Sequence, residues 1–179
     1  MSQNSLKSLS WLKRHWPSLE SLDLSFNRLP VSALCSLRVL RCLRVLDLSG
    51  NSLSQLPDDL SFLESLEKLS LAHNSLSSAS AACNPNKLFV SLATLPRLSK
   101  LSLAHNQLAG LHLDDLLMLD RYHGQKGVML ALVKLDLSFN RIEGQERLMQ
   151  ALHFASLNVL KIIGNPLVVN SKPMTMMGH

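Results

Sequence analysis

The string LxxLxLxxNxL recurs six times along the 179 residues, and this repetition restricts the possible folds more than any other feature of the chain. The copies begin at Leu19, Leu43, Leu66, Leu98, Leu132 and Leu157, with isoleucine replacing the third leucine once and the last leucine once. Their asparagines are Asn27, Asn51, Asn74, Asn106, Asn140 and Asn165, spaced by 24, 23, 32, 34 and 25 residues. A register kept through two long intervals means that each copy is a structural unit and that the extra residues loop out.

Leucines two apart point to the same side of a strand, so each LxL buries both side chains. A lone unit cannot cover that apolar face, but stacked units can. The pattern therefore predicts an α/β leucine-rich repeat solenoid, a segment of a right-handed curved horseshoe. Its concave face would carry a parallel sheet, and its convex face short helices or 3₁₀ turns. Each asparagine falls where the chain leaves the strand, and its amide can satisfy backbone groups of adjacent turns, forming an interior ladder. In the second repeat Leu53, Leu56, Pro57, Leu60 and Leu63 have the spacing of a short helix or 3₁₀ turn. Hydrophobic residues make up 46% of the chain but aromatics only 4%, so the core must be aliphatic.

Residues 75–87 are small, polar and turn-rich and read as a protruding loop. Residues 114–129 begin like an amphipathic helix and end in a glycine-containing loop. Residues 1–18 look like the convex half of a repeat without its strand, either a helical cap or a piece of a longer array. Residues 19–169 form the repeat domain, with Pro166 after the last asparagine in a closing form, and 170–179 are a short tail.

The stretch LESLDLSFNRLPVSALCSLRVLRCLRVLDLSGNSLSQLP, with LDLSFNRI and GNPLV further on, resembles the leucine-rich region of the X-ray radiation resistance-associated protein family. The resemblance spans most of the chain. Members of that family carry a larger insertion before the last repeats, whereas here only a short one lies around Arg121 to Met129. The likeness implies a non-catalytic protein, cytoplasmic and/or nuclear, linked to the cellular response to X-rays. More distantly the array is similar to leucine-rich adaptors of cilia and of phosphatase regulation. The alternative is therefore a structural subunit of a large assembly, such as a ciliary axoneme.

The sequence carries no glycine-rich phosphate loop, CxxC pair, HExxH or GxSxG, so it predicts no enzyme and no cofactor. No apolar run reaches the ~18 residues that a membrane span requires. The first residues lack the order of a secretion signal. Three cysteines, Cys35, Cys42 and Cys83, do not cluster at the ends, which suggests buried or half-buried thiols in a reducing compartment. Arg38, Arg41 and Arg44, with Lys13 and Arg14 nearby, read as a solvated convex surface. A net charge of +5 without interleaved aromatics gives no reason to expect nucleic acid.

The candidate site is the concave face, where one position of each repeat should stack on the same position of the next. Before the LxL stand Ser21, Val45, Lys68, Lys100, Lys134 and Val159; between its leucines stand Asp23, Asp47, Ser70, Ser102, Asp136 and Lys161. Just before the asparagine come Phe26, Gly50, His73, His105, Phe139 and Gly164. The expected partner-binding set is Phe26 and Phe139 as anchors toward opposite ends, His73 and His105 between them, the lysines Lys68, Lys100 and Lys134, and the carboxylates Asp23, Asp47 and Asp136. No third ligand joins the two histidines, so no metal site is expected. The expected partner is a protein.

Overall fold

In the computed structural model, residues 6–13, 16–77, 87–111, 129–144, 148–149, 151 and 154–169 are described. Most of the two insertions, the tail from residue 170 and Cys83 lie outside them. The first leucine of each LxL is the centre of a three-residue strand: β1 Ser21–Asp23, β2 Val45–Asp47, β3 Lys68–Ser70, β4 Lys100–Ser102, β5 Lys134–Asp136 and β6 Val159–Lys161. The strands pair in parallel in the order β1-β2-β3-β4-β5-β6, an open sheet with β1 and β6 at its edges. Their central leucines, Leu22, Leu46, Leu69, Leu101, Leu135 and Leu160, lie in one row across the sheet. The solenoid is thus built from sequential repeats, and its core is a stack of leucines joined by very few aromatic rings, Phe89 and Phe154 among them.

Past each strand the backbone turns, and the asparagine side chain spans the turn. Asn51 Nδ2 donates to the Leu24 carbonyl of the preceding repeat at 2.9 Å and to its own Leu48 carbonyl at 3.0 Å. The Oδ1 of Asn74 accepts the Leu53 N–H at 2.9 Å and the Asn51 N–H at 3.1 Å. Asn106, Asn140 and Asn165 each donate to a carbonyl of the repeat before them at 2.9 Å. All six asparagines are buried, in a column that no apolar side chain could replace without orphaning backbone groups.

The column begins before the first strand. Leu6 N–H donates to Asn27 Oδ1 at 2.9 Å and its carbonyl accepts the Arg28 N–H at 3.1 Å. Leu29 and Leu53 bond the same asparagine oxygen one repeat further on. Leu6 therefore occupies the return position of a repeat ahead of β1. A 3₁₀ turn, Ser10–Lys13, follows it, and the buried Leu9 and Leu12 join Leu22 and Leu24 in the hydrophobic core.

The return segments differ. The first is helical, with α1 Val31–Leu34 running into a 3₁₀ turn at Cys35–Val39; the third contains α2, Lys87–Ala93. The second was expected to hold a short helix or 3₁₀ turn, but no helix forms there. Pro57 supplies no N–H and disfavours helical geometry at Leu56. Single turns replace the helix, such as Leu63 N–H to the Leu60 carbonyl at 2.9 Å, and Leu53, Leu56, Leu60 and Leu63 are still buried. A last short helix, α3 Pro166–Val169, follows β6.

The cysteine expectation needs correction. Cys35 and Cys42 are exposed free thiols, not buried. In the 3₁₀ segment Leu34, Leu37 and Leu40 take the inner face, and the three-residue period leaves Cys35 and Arg38 outside. Of the arginines here, Arg38 lies 5.6 Å over the Phe62 ring and Arg44 pairs with Glu67 at 2.7 Å across the surface.

Candidate protein-binding face

A strand of alternating residues must show its odd positions to solvent once the even ones are buried, and the parallel register turns those positions into rows. Ser21, Val45, Lys68, Lys100, Lys134 and Val159 are aligned, as are Asp23, Asp47, Ser70, Ser102, Asp136 and Lys161. Together they border a shallow hollow of ≈ 260 Å³ on the sheet face, whose rim includes Lys68, Lys100, Lys134, Asp47 and Asp136. Adjacent strands lie ~4.8 Å apart, so the lysines form a closely spaced cationic row. None of the three has a carboxylate within ion-pair distance among the described residues.

The carboxylates are less free. Asp23, Asp47 and Asp136 each accept the N–H of the serine two residues on, at 2.8, 2.8 and 3.0 Å. Asp47 also accepts the Ser49 hydroxyl. The Ser25 hydroxyl and then the Ser25 N–H hold the Asp23 carboxyl below its ordinary value. Asp136 in addition faces Lys161 at 3.7 Å. These three side chains brace the turn out of the strand. In the third and fourth repeats serine replaces the aspartate and alanine the serine, so the brace is absent and the rim there is uncharged apart from lysine.

The row before the asparagines is the most unusual part of the face. All six residues adopt left-handed backbone: Phe26 at φ 52°, Gly50 at 66°, His73 at 53°, His105 at 54°, Phe139 at 55° and Gly164 at 74°. Glycine takes this conformation freely, whereas a phenylalanine or histidine there is strained. The N–H of each non-glycine member holds it in place by donating to the next repeat: Phe26 to the Ser49 carbonyl and Phe139 to that of Ile163, both at 2.7 Å. His73 and His105 make the equivalent bonds at 2.9 Å.

The rings then lean along the solenoid, each over the next repeat. His73 stacks on His105 with centroids 4.1 Å apart and planes within 12°; His105 stacks on Phe139 at 4.3 Å and 11°. The Phe139 ring ends over Gly164, where an added Cβ would come within 2.5 Å of its Cδ1. Phe26 lies over Gly50 in the same way, at 2.6 Å. The four rings therefore form one continuous three-ring stack and one separate phenylalanine. Phe26 remains 52% exposed and Phe139 49%, so each ring covers a neighbour with one side and offers the other to solvent. The imidazole planes are nearly parallel, so their in-plane nitrogens do not converge on a common point. Among the described residues no three His, Cys, Asp or Glu side chains could hold a metal ion.

The left-handed row was missed by sequence reasoning. Its signal was present: glycine at two of the six positions before asparagine, Gly50 and Gly164, marks a backbone that favours positive φ.

Sequential parallel strands, a buried asparagine column and an exposed strand face together define the chain as a leucine-rich repeat protein. The leucine rich repeat family model matches residues 17–76. Over 54 residues the chain is 52% identical to human leucine-rich repeat-containing protein 43, a stretch covering 29% of this chain and 8% of that protein. Over 47 residues it is 51% identical to mouse X-ray radiation resistance-associated protein 1, covering 26% of this chain and 6% of the relative. The likeness to the X-ray radiation resistance-associated family is therefore local, where the sequence suggested that it spans most of the chain. The matched stretches span less than a tenth of either relative's length. No helix among the described residues is long and apolar enough to cross a membrane.

Proposed function

We propose that the chain is a non-catalytic protein-binding module whose sheet face takes a segment of a partner protein. The observation that carries this reading is the ring row. Four non-glycine side chains occupy strained left-handed positions and keep half-exposed aromatic surface beside a lysine row with no ion-pair partner among the described residues. Strain of this kind persists where the surroundings enforce it, and it clusters at binding sites. Aromatic rings supply much of the energy of protein interfaces at low entropic cost. The lysines would steer acidic groups of the partner during approach. Asp47 and Asp136 contribute rim polarity, while Asp23 serves the turn.

The test is capture of partners from cytoplasmic, nuclear and ciliary fractions with the wild-type chain and with Phe139→Ala. The variant should weaken partner binding by ~1–3 kcal/mol with an almost unchanged melting temperature. Lower stability with binding spared would make Phe139 a packing residue and sink the reading. A role in the response to X-rays, in cytoplasm and/or nucleus, is the finer proposal, supported by the local likeness to the mouse protein. Radiation-dependent recovery of the captured partner would test it.

A further inference from the structure

The ring row has six positions and four rings, and it is interrupted at Gly50. His73 stacks on His105 with one face, while its other face, toward the second repeat, meets no ring among the described residues. On the far side of the break Phe26 leans over Gly50 and stays 52% exposed. Successive rings of the stack stand 4.1 and 4.3 Å apart, one ring to each repeat. Two repeats separate Phe26 from His73, so one ring is missing between them.

The charged rows change in the neighbouring repeats. Across β3 and β4 the sheet face carries Lys68 and Lys100 and no carboxylate, with Ser70 and Ser102 where β1, β2 and β5 have Asp23, Asp47 and Asp136. The Ser70 and Ser102 hydroxyls have no hydrogen-bond partner among the described residues. Glu67, beside Lys68 in sequence, is taken by Arg44 at 2.7 Å. Asp47 bounds this window on one side and Asp136, facing Lys161 at 3.7 Å, on the other. Both lysines and both serines border the hollow of the sheet face. Two ammonium groups on strands ~4.8 Å apart, beside free hydroxyl donors, are complementary to a carboxylate.

We propose that the partner segment is acidic and carries an aromatic side chain: its carboxylates lie over β3 and β4, and its ring fills the break at Gly50 against His73. The inference rests on the reading of the sheet face as a protein-binding surface and names the chemistry of its occupant. The lysine and ring rows are five residues apart along each repeat, ~15 Å at the rise of a strand. An extended peptide covers that distance in about four or five residues, which fixes the separation of its acidic and aromatic positions. A single-stranded nucleic acid also joins anions to rings. It is disfavoured because Asp47 and Asp136 stand on both sides of the window, where successive phosphates would pass.

The test pans a random display library of linear peptides, about twelve residues long so as to span both rows, against the full chain. Enriched peptides should carry acidic residues with an aromatic residue about four or five positions away. Synthetic copies are then titrated by fluorescence anisotropy. His73→Gly removes the stacking face and suits the left-handed backbone, so the fold should be kept. This variant should weaken binding about tenfold, as should leucine in place of the peptide's aromatic residue. Together the two changes should cost no more than either alone, because they remove one contact. Lys68→Ser with Lys100→Ser should also weaken binding and remove most of its salt dependence, whereas Lys87→Ser, on α2, should change neither. Additive effects of the His73 and aromatic changes, no enrichment of acidic peptides, or tighter binding of a single-stranded oligonucleotide overturn the proposal. Peptides of other chemistry that Phe139→Ala releases would overturn it and leave the protein-binding reading intact. Peptides that this variant binds as well as the wild type does would overturn both.

Discussion

Gly50 and Gly164 are each required twice over, by a left-handed φ and by a phenylalanine ring lying where a Cβ would stand. Gly50→Ala should therefore destabilise the chain by about 1–3 kcal/mol in urea unfolding. Adding Phe26→Ala should recover only the steric part, because the backbone strain remains. A single variant indistinguishable from wild type would contradict the observed packing. The asparagines act at the same scale. Asn74→Leu strands the N–H groups of Asn51 and Leu53 and takes one of two amide donors from each of the Leu48 and Leu71 carbonyls. A loss of roughly 1–3 kcal/mol is expected, and a neutral effect would count against the ladder as a source of stability.

At the scale of elements, all the strands are alike and the return segments are not. A strand needs only its central leucine and the bonds of its neighbours, so three residues suffice each time. A return segment needs only to bring leucines back to the core, and helix, 3₁₀ turn and single turns all achieve this. Helix α2 is the one described return element that buries a large aromatic ring fully, Phe89. Phe89→Ala should cost about 3–5 kcal/mol, measurable by chemical unfolding, because the leucines around it cannot collapse onto so large a void. The lysine row is a property of β3, β4 and β5 together. Replacing Lys100 and Lys134 by serine should slow association with a captured partner and flatten its salt dependence, with little change in dissociation.

For the molecule as a whole, stability is a sum of repeats and of their junctions, and the two ends are unequal. Leu22 in the first strand is buried, whereas Leu160 in the last is 36% exposed. Amide exchange should therefore be fastest at β6 and slowest at β3 and β4, and uniform protection would argue against an open edge. Acid should weaken the array through its turns. The Asp23 carboxyl lies below its ordinary value of 3.8 in the folded chain, because Ser25 bonds favour its charged form. Its contribution is thus present above that value and is lost as pH falls through the lower folded one. Asp23→Asn should lose less stability than wild type on acidification below about pH 4.

Repeat number, strand positions, the aliphatic core and the row each exposed residue joins could be read from the sequence, because a period of two within strands and a regular asparagine leave one register. The departures came where position depends on neighbours several repeats or turns away. Cys35 looked like core until Leu34, Leu37 and Leu40 took the inner face. Pro57 kept Leu53 to Leu63 from forming the helix that their spacing allows. Phe139 read as one of two anchors toward opposite ends, and a left-handed turn tilts each ring over the next repeat and stacks it with His105 and His73. Asp23, Asp47 and Asp136 read as part of the partner-binding set, yet each also accepts the N–H of the serine two residues on. The sequence by itself determined which strand side chains point to the concave face, since alternation within a strand is a local rule. Only the tertiary structure decided which of them touch one another, because stacking and strain arise between repeats.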